Sequence, residues 1–135
     1  MMTVRHNLEY LLKEIPAGVK LVAVSKTMPA EVILEAYNAG QRHFAENKSQ
    51  ELTSKQPALP QDIKWHFIGH LQTNKVKYIE SFVDMIQSVD SLKLLKEIEM
   101  EASKNTWVIA CLLQFHIATE ETKYGLDPDE ATAIL

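Results

Sequence analysis

The sequence is poor in the residues that mark several classes of protein. It contains one cysteine, Cys111, so no disulfide can form within the chain. Its four glycines form neither a Gly-x-Gly-x-x-Gly nor a Gly-x-x-x-x-Gly-Lys-Ser/Thr pattern, which leaves dinucleotide-binding and P-loop phosphate sites without support. The Gly-x-Ser-x-Gly pattern around a hydrolase nucleophile is also missing.

The sequence also lacks an excess of positive charge and a long apolar segment. Its formal net charge of -4 at pH 7 offers no basic surface that would neutralise a phosphate backbone, so a dedicated nucleic-acid role is not expected. The first 13 residues carry polar or charged side chains at positions 5, 6, 9 and 13, unlike a signal peptide or a membrane span. We therefore expect a cytoplasmic protein without a membrane segment.

What the sequence does contain is a repeated alternation of helix and strand patterns. Apolar positions at helical spacing predict a first helix before Pro16. Residues 20–25 form a short continuous apolar run, which is typical of a strand covered on both faces of a parallel sheet. Pro29 opens a helical pattern that Gly40 is well placed to end. Further strands are expected at 42–45, 64–68, 83–87 and 107–115, and further helices at 47–55, 71–80, 91–103 and from Pro128 onward.

Five strand-helix units of this kind predict an α/β fold with a parallel sheet. Right-handed crossovers with short connections fit either an open doubly wound sheet or a TIM-type barrel, and the pattern alone does not choose between them. A closed barrel needs eight units in about 250 residues, whereas these 135 residues end within the last predicted helix. We therefore expect residues 1–135 to form a single domain that is incomplete at its C-terminal end.

Lys26, which directly follows the first apolar strand, is the first candidate for chemistry. The carboxyl end of a strand is where α/β sheets and barrels place their sites. A lysine rooted in a buried strand loses part of its hydration, which favours the neutral amine that attacks an aldehyde to form a Schiff base. A solvent-facing lysine at the start of a loop is the plainer interpretation, and position alone favours it.

Polar residues also end the second and fourth predicted strands. Asn47 can contact a ligand or cap the helix that follows it. Ser88 can bind an oxyanion, and Asp90 can cap the next helix, which is the favoured role at that position. None of these residues is specific for a ligand by itself.

A polar loop follows the fifth predicted strand. Gln114 and His116 stand at the end of that strand, and Lys123 and Gly125 lie in the loop beyond it. Such a loop can close over a ligand. It can equally be an ordinary connection in which Gly125 supplies a positive φ angle, and the residues leave both interpretations open.

Several histidines raise the question of a metal site. The candidates are His43, His66, His70 and His116, together with Cys111. A site needs ligands that converge, and no carboxylate-rich cluster or His-x-His pair at a strand end supports catalytic zinc or iron. We therefore expect buried or capping histidines and no metal.

A set of short motifs, in a characteristic order and spacing, resembles one protein family. The motifs are Ala23-Val24-Ser25-Lys26-Thr27, Phe44-Ala45-Glu46-Asn47 with Gln50-Glu51, Trp65-His66-Phe67-Ile68-Gly69 with Leu71-Gln72 and Asn74-Lys75, Ser88-Val89-Asp90-Ser91, and residues 120–125. Together they make the chain similar to the pyridoxal phosphate homeostasis proteins, from about residue 4 to its end. The resemblance implies a (β/α) barrel like the N-terminal domain of alanine racemase, with about its first five strand-helix units present.

The resemblance also implies a cofactor and its binding residues. Lys26, the lysine of the family's Ser-Lys-Thr motif, is implied to hold pyridoxal 5′-phosphate (PLP) as a Schiff base. The other implied cofactor-binding residues are Asn47, Ser88, Gln114, His116 and Lys123. The implied role is a non-catalytic one, in which the protein holds PLP inside the cell and hands it to PLP-dependent apo-enzymes.

Two alternatives remain open beside this binding role. One is a racemase-like, PLP-dependent enzyme acting on amino acids, in which Lys26 or Lys123 moves protons. Ala30 argues against it, because racemases typically carry a phosphate-contacting tyrosine there. The other is a structural fragment without native activity, whose unpaired sheet edges favour self-association even though the intact family is implied to be monomeric. Since barrels of this kind hold phosphate with their last loops, we expect weaker PLP binding than in a complete relative.

Overall fold

The computed structural model describes residues 3–117 and 124–135, in which helices alternate with strands. The helices are α1 (Val4–Glu14), α2 (Ala30–Asn38), α3 (Ser49–Lys55), α4 (Val76–Ile79), α5 (Leu92–Lys104) and α6 (Pro128–Ile134). The strands are β1 (Ala23–Val24), β2 (His43–Glu46), β3 (Lys64–Phe67), β4 (Val83–Val89) and β5 (Ala110–Leu113). Short 3₁₀ turns at Gln56–Ala58 and Thr73–Lys75 follow α3 and precede α4.

The strands pair in parallel as one five-stranded sheet in the order β1-β2-β3-β4-β5. Each strand therefore lies beside the strand that follows it in the chain, whereas a doubly wound sheet reverses its order at a switch point. A continuous order with right-handed crossovers keeps the helices on one face, as in the wall of a barrel. The five predicted strand-helix units are confirmed, and the strand order favours the barrel type.

The hydrophobic core lies between the sheet and the helices. Phe44, Trp65 and Phe67 are almost fully buried, and they occupy alternate positions along β2 and β3. Leu52 of α3 and Leu94 of α5 belong to the same buried cluster. Because this cluster occupies the helix side of the sheet, the intervening strand residues are left to the opposite face.

The cap predicted at Asp90 is wrong by one residue, and Asn47, for which capping was one of two open interpretations, does not cap a helix either. The cap of α5 is Ser91, whose side chain accepts a hydrogen bond from the Leu94 backbone N–H at 3.1 Å, and not Asp90. Asn47 lies one residue before the cap position of α3, which Lys48 occupies. Neighbouring residues that all favour a cap cannot be ranked from the sequence, because the choice depends on where the chain turns into the helix.

The two outer strands are shorter than predicted. β1 and β5 each have a single neighbour in the sheet, so fewer of their residues take part in ladder hydrogen bonds. Beyond β5, Phe115 forms an isolated parallel bridge with Leu126, just before α6. Within the residues that the structure describes, no helix is both long enough and apolar enough to cross a bilayer.

Candidate functional site

Predicted site residues lie along the edge of the sheet where the strands end. They are Lys26 just after β1, Asn47 just after β2, Ser88 near the end of β4, and Gln114 and His116 after β5. Because the strands are parallel, these carboxyl ends share one edge. Lys123 lies outside the described residues, so its predicted role stays a prediction.

Lys26 lies in a tight turn directly after β1. The Met28 backbone N–H donates to the Ser25 carbonyl at 3.0 Å, and Thr27 adopts a φ of 63°, a conformation that residues other than glycine rarely take. The Lys26 side chain is exposed, so the loss of hydration expected for a strand lysine is not found. The turn, and not burial of the side chain, sets the position of Lys26.

A network of charged side chains, which we call the turn clamp, holds this turn and consists of Glu46, Glu51 and Lys55. Glu46 is fully buried and accepts a hydrogen bond from the Ser25 hydroxyl. The Lys55 Nζ donates to Glu46 Oε2 at 3.0 Å and to the Ser25 carbonyl at 2.8 Å. Glu51 Oε2 accepts from the Thr27 backbone N–H at 2.7 Å and from Lys55 Nζ at 2.7 Å. Both residues that flank Lys26 are thus tied to the clamp.

The turn clamp favours the ionised form of Glu51. The hydrogen bond from the Lys55 ammonium holds the pKa of Glu51 below its usual value. Lys55 was missed by the sequence analysis. Its spacing of four residues from Glu51 on α3 is a signal in the sequence for the pair of Lys55 and Glu51. The contact of Lys55 with the turn after β1 joins segments about 30 residues apart, so a local pattern does not predict it.

The Asn47 backbone is fixed by a close contact with Gly69, two residues beyond the end of β3. A Cβ atom at Gly69 would lie 2.2 Å from the Asn47 carbonyl oxygen and 2.8 Å from its Cα. Only a glycine leaves room for this approach. The loops after β2 and β3 therefore pack together at the edge that carries Lys26.

Two predicted site residues carry buried polar atoms without a partner. Ser88 is 1% exposed, and its Oγ has no hydrogen-bond partner among residues 3–117 and 124–135. The same holds for Nε2 of His116. An unsatisfied buried polar atom costs about 1–3 kcal/mol, so such atoms are usually paired. A ligand at this edge of the sheet would supply the missing partners.

Gln114 holds the chain that follows the polar loop. Its Nε2 donates to the Tyr124 carbonyl at 2.9 Å, and its own carbonyl accepts from the Leu126 backbone N–H at 2.7 Å. Gly125 adopts a φ of +152°, and a Cβ there would lie 2.5 Å from the His116 backbone nitrogen. The positive φ predicted for Gly125 is confirmed, and the Gln114 amide serves as a structural tether.

His70 and Asp90 form a pair at the same edge. Nδ1 of His70 lies 3.0 Å from Oδ2 of Asp90, and the His70 ring stacks on Tyr124 with 3.8 Å between ring centroids. Asp90 therefore orients an imidazole instead of capping α5. The pair links the loops after β3 and β4 to the chain that follows the polar loop.

A second cluster lies on the sheet face away from the helices. His43 and His66 alternate with the buried aromatic residues of β2 and β3, so they project to the opposite face. Nδ1 of His43 is 3.0 Å from Nε2 of His66, and both residues have a ligand atom within 4.8 Å of an Asp84 carboxylate oxygen. Burial holds the pKa of both imidazoles below the usual value. Both histidines stand out in the sequence, but Asp84 does not, because the hydrophobic pattern does not reveal which residues of separate strands lie side by side.

The comparisons with known proteins cover the whole chain. Residues 1–135 match the family described as "Alanine racemase, N-terminal domain". The pyridoxal phosphate homeostasis protein of Aquifex aeolicus (strain VF5) is 47% identical over 111 residues, which cover 82% of this chain and 49% of the relative. The human pyridoxal phosphate homeostasis protein is 40% identical over 125 residues, which cover 86% of this chain and 46% of the relative. The chain thus spans about half the length of these relatives.

Solved structures agree with the fold. PipY of Synechococcus elongatus PCC7942 matches with TM-scores of 0.92 without PLP and 0.89 with PLP bound, at 38% identity. Both matches cover 97% of this chain, and they cover 62% and 61% of the respective PipY chains. Alanine racemase from Bartonella henselae matches with a TM-score of 0.76 at 17% identity, over 97% of this chain and 37% of the racemase, a likeness of fold alone. The predicted alanine racemase N-terminal type of fold is confirmed.

Proposed function

The chain belongs to the alanine racemase N-terminal domain family, and on that premise we propose that it binds PLP as a Schiff base on Lys26, holds the cofactor and hands it on. Relatives named pyridoxal phosphate homeostasis protein support this role, as does the PLP-bound structure of PipY. The observation that carries the proposal is the position of Lys26 at the carboxyl end of β1, in a turn that the turn clamp holds on both sides of the lysine.

Lys26 is proposed as the covalent attachment point. Its neutral amine attacks the aldehyde carbon of the cofactor, a C=N bond replaces the C=O bond, and water leaves. Hydrolysis reverses this exchange, so the bond can hold the cofactor and also release it. The exposure of Lys26 leaves the amine open to such an exchange.

Four other proposed binding residues lie at or after the ends of β2, β4 and β5. Ser88 and His116 contribute the buried polar atoms that have no partner in the described part of the chain. Asn47 is proposed to lie near the cofactor ring, on a backbone held by its contact with Gly69. Gln114 and Lys123 are also proposed as binding residues, Gln114 through the chain that it tethers.

Three further proposals concern the wider setting. We propose that residues 1–135 act as one PLP-binding domain, because a single sheet and a single buried cluster run through the described residues. PLP-dependent apo-enzymes are proposed as recipients of the cofactor, and the cytoplasm as the location. The unpaired outer strands β1 and β5 are proposed to allow copies of the chain to associate.

The proposed attachment is tested by mixing the purified chain with PLP, recording absorbance, reducing with borohydride and locating the adduct by mass spectrometry. We expect a band at longer wavelength than that of the free aldehyde and one adduct, on Lys26. Lys26→Ala should lose both. Lys48→Ala, which removes an exposed lysine at the same edge of the sheet, is the matched control and should keep both. Adducts spread over several lysines, or a band that survives in Lys26→Ala, would contradict the proposal.

The carrier role is separated from an enzymatic one with the loaded protein. We expect it to restore the activity of a PLP-dependent apo-enzyme and to leave added L-amino acids unracemised. Racemisation that disappears in Lys26→Ala would instead favour the enzyme. A loaded protein that neither transfers its cofactor nor racemises amino acids would contradict the carrier role while leaving the Schiff base intact.

A further inference from the structure

We propose that His43, His66 and Asp84 form a binding site for one divalent transition-metal ion, such as Zn²⁺, on the sheet face away from the helices. The three residues come from the neighbouring strands β2, β3 and β4: His43 is the first residue of β2, His66 the third of β3 and Asp84 the second of β4. All three lie within strands, whereas Lys26 lies beyond the end of β1, so this site and the proposed PLP site use different residues. Neither proposal depends on the other.

The distances between the ligand atoms suit a shared ion. One ligand atom from each of the three residues lies within 4.8 Å of the other two, and the facing nitrogens of the two histidines are 3.0 Å apart. Zn–N bonds of about 2.1 Å bring two ligand nitrogens to about 3.0–3.4 Å for angles between a right angle and a tetrahedral one. The histidine pair already has this spacing. A small rotation of the Asp84 carboxylate would bring one of its oxygens to a similar distance from both nitrogens.

Gln87 orients His66 for this role. Its side-chain amide lies 2.9 Å from Nδ1 of His66, while Nε2 of the same ring faces His43. In the ion-free chain it is the amide nitrogen Nε2 of Gln87 that faces Nδ1, so Nδ1 accepts and the ring proton of His66 lies on Nε2, toward His43. Turning the amide over puts its oxygen toward Nδ1, which then carries the proton as in a metal-binding histidine, and the Nε2 lone pair faces the ion. His66 is 3% exposed, so packing restrains its ring.

The charges of the cluster also suit a bound cation. The two imidazoles bind a metal ion through their neutral form, and the Asp84 carboxylate adds a negative charge. Lys20 and Lys64 oppose a cation, but both are exposed, so solvent screens their charge. Three protein ligands leave at least one position for water, as at an open zinc site.

Of the three proposed ligands, Asp84 borders an open cavity of about 590 Å³, which Lys64, Arg42 and Asp62 also line. An ion would enter from this side. In the ion-free chain the facing nitrogens of His43 and His66 share one proton through their hydrogen bond. On binding, this proton moves to the outer nitrogen of the same ring. The neutral pair therefore takes up the ion without losing a proton.

The test is titration of the purified full chain with ZnCl₂ by calorimetry, and with CoCl₂ by visible absorption. We expect one ion per chain. Asp84→Asn and His43→Gln should each weaken binding at least tenfold, and Gln87→Leu should weaken it about tenfold through loss of His66 orientation. His70→Gln removes the other histidine that faces an aspartate and is the matched control, which should bind as the unaltered chain does.

A second measurement guards against variants that fold poorly. Zn²⁺ should raise the melting temperature of the unaltered chain and of His70→Gln, but not that of Asp84→Asn, whose half-buried position tolerates an amide. The proposal is overturned if the unaltered chain binds less than one ion at micromolar concentrations. It is also overturned if the folded Asp84→Asn and His43→Gln variants bind as tightly as the unaltered chain.

Discussion

The turn clamp places one buried positive charge between two carboxylates directly beside the turn that carries Lys26. The side chain of Lys55 is 10% exposed and that of Glu46 is 0% exposed. Removing one partner of such a pair leaves an uncompensated buried charge, whereas replacing both partners by neutral groups costs much less. At the scale of the residue, losing one member of the ion pair is therefore expected to destabilise the fold more than replacing both.

Lys55→Met is expected to lower the free energy of unfolding by about 3–5 kcal/mol, because Glu46 then stays buried without its cation. Urea unfolding followed by circular dichroism measures the change. Lys104→Met, which breaks the pair between Lys104 and Glu101 on the surface of α5, is the control and should change stability by less than about 1 kcal/mol.

The double variant Glu46→Gln/Lys55→Met is expected to recover part of the stability that Lys55→Met loses. If the double variant proved less stable than Lys55→Met alone, the charge balance of the clamp would not be the cause of the loss, and packing of the Lys55 side chain would explain it instead.

Gly69 gives a second residue-scale prediction. Gly69→Ala is expected to lower the free energy of unfolding by about 1–3 kcal/mol, because the new Cβ would overlap the Asn47 backbone and force the loops after β2 and β3 apart. Borohydride labelling should then also fall, since the edge that carries Lys26 is displaced. Gly18→Ala is the control for labelling, because a Cβ at Gly18 meets no atom within 4 Å, although the φ of +87° there strains the alanine.

At the scale of the element, the register of the parallel strands determines which side chains meet. The pairing of β2 with β3 sets Ala45 beside His66 and brings His43 within reach of the same ring. A shift of β3 by one residue would turn His66 toward the apolar core while His43 kept its place. The cluster of His43, His66 and Asp84 thus depends on the register of the strands. That register depends in turn on the buried aromatic residues that alternate with the histidines.

The stability of the chain is expected to fall as the pH drops below 6.5. Burial lowers the folded-state pKa of His43 and of His66 from the ordinary value of 6.5. Below pH 6.5 the unfolded chain therefore binds protons that the folded chain does not. The stability contributed by the two neutral imidazoles is fully present above pH 6.5 and is lost as the pH falls toward their folded-state pKa values. Urea unfolding at several pH values measures the slope.

His66→Gln should flatten this slope, since one buried imidazole is removed. His6→Gln, which alters an exposed histidine of α1, should leave the slope unchanged. An equal slope in all three proteins would assign the pH dependence to other groups.

The elements differ in how far the sequence determines them. The continuous apolar run at 20–25 predicted β1, the repeated alternation of patterns predicted β2 to β4, and Pro29 and Gly40 correctly bounded α2, because these signals lie within a few residues of the structure they produce. The turn clamp and the cluster of His43, His66 and Asp84 could not be predicted, because their members meet only when separate strands pair. The position of Lys26 followed from the strand end and the family motif, whereas its exposure depends on the turn.

At the scale of the whole molecule, the outer strands leave apolar residues in contact with solvent. Trp107, Val108 and Leu112, in or just before β5, are 44%, 88% and 48% exposed. An unpaired strand edge beside apolar side chains favours association between copies. These exposed apolar residues beside the outer strand β5 support the proposed self-association.

Light scattering is expected to show an average mass that rises with protein concentration. Val108→Lys should lower the association, because a lysine beside the edge strand opposes pairing with a second copy. Lys96→Ala, a change on the surface of α5, should leave it unaltered. A strict monomer with cooperative melting at all concentrations would contradict this prediction.

The continuous strand order also bears on how the protein forms during synthesis. Each strand pairs with the one before it across about 20 residues of chain, from Ala23 with Phe44 to Met85 with Ala110. Such short separations favour fast folding, and they allow a chain that leaves the ribosome to add one strand at a time to those already made. The turn around Lys26 and the three members of its clamp all lie within the first 55 residues. The attachment point proposed for the cofactor can therefore take shape before the second half of the sheet has been translated.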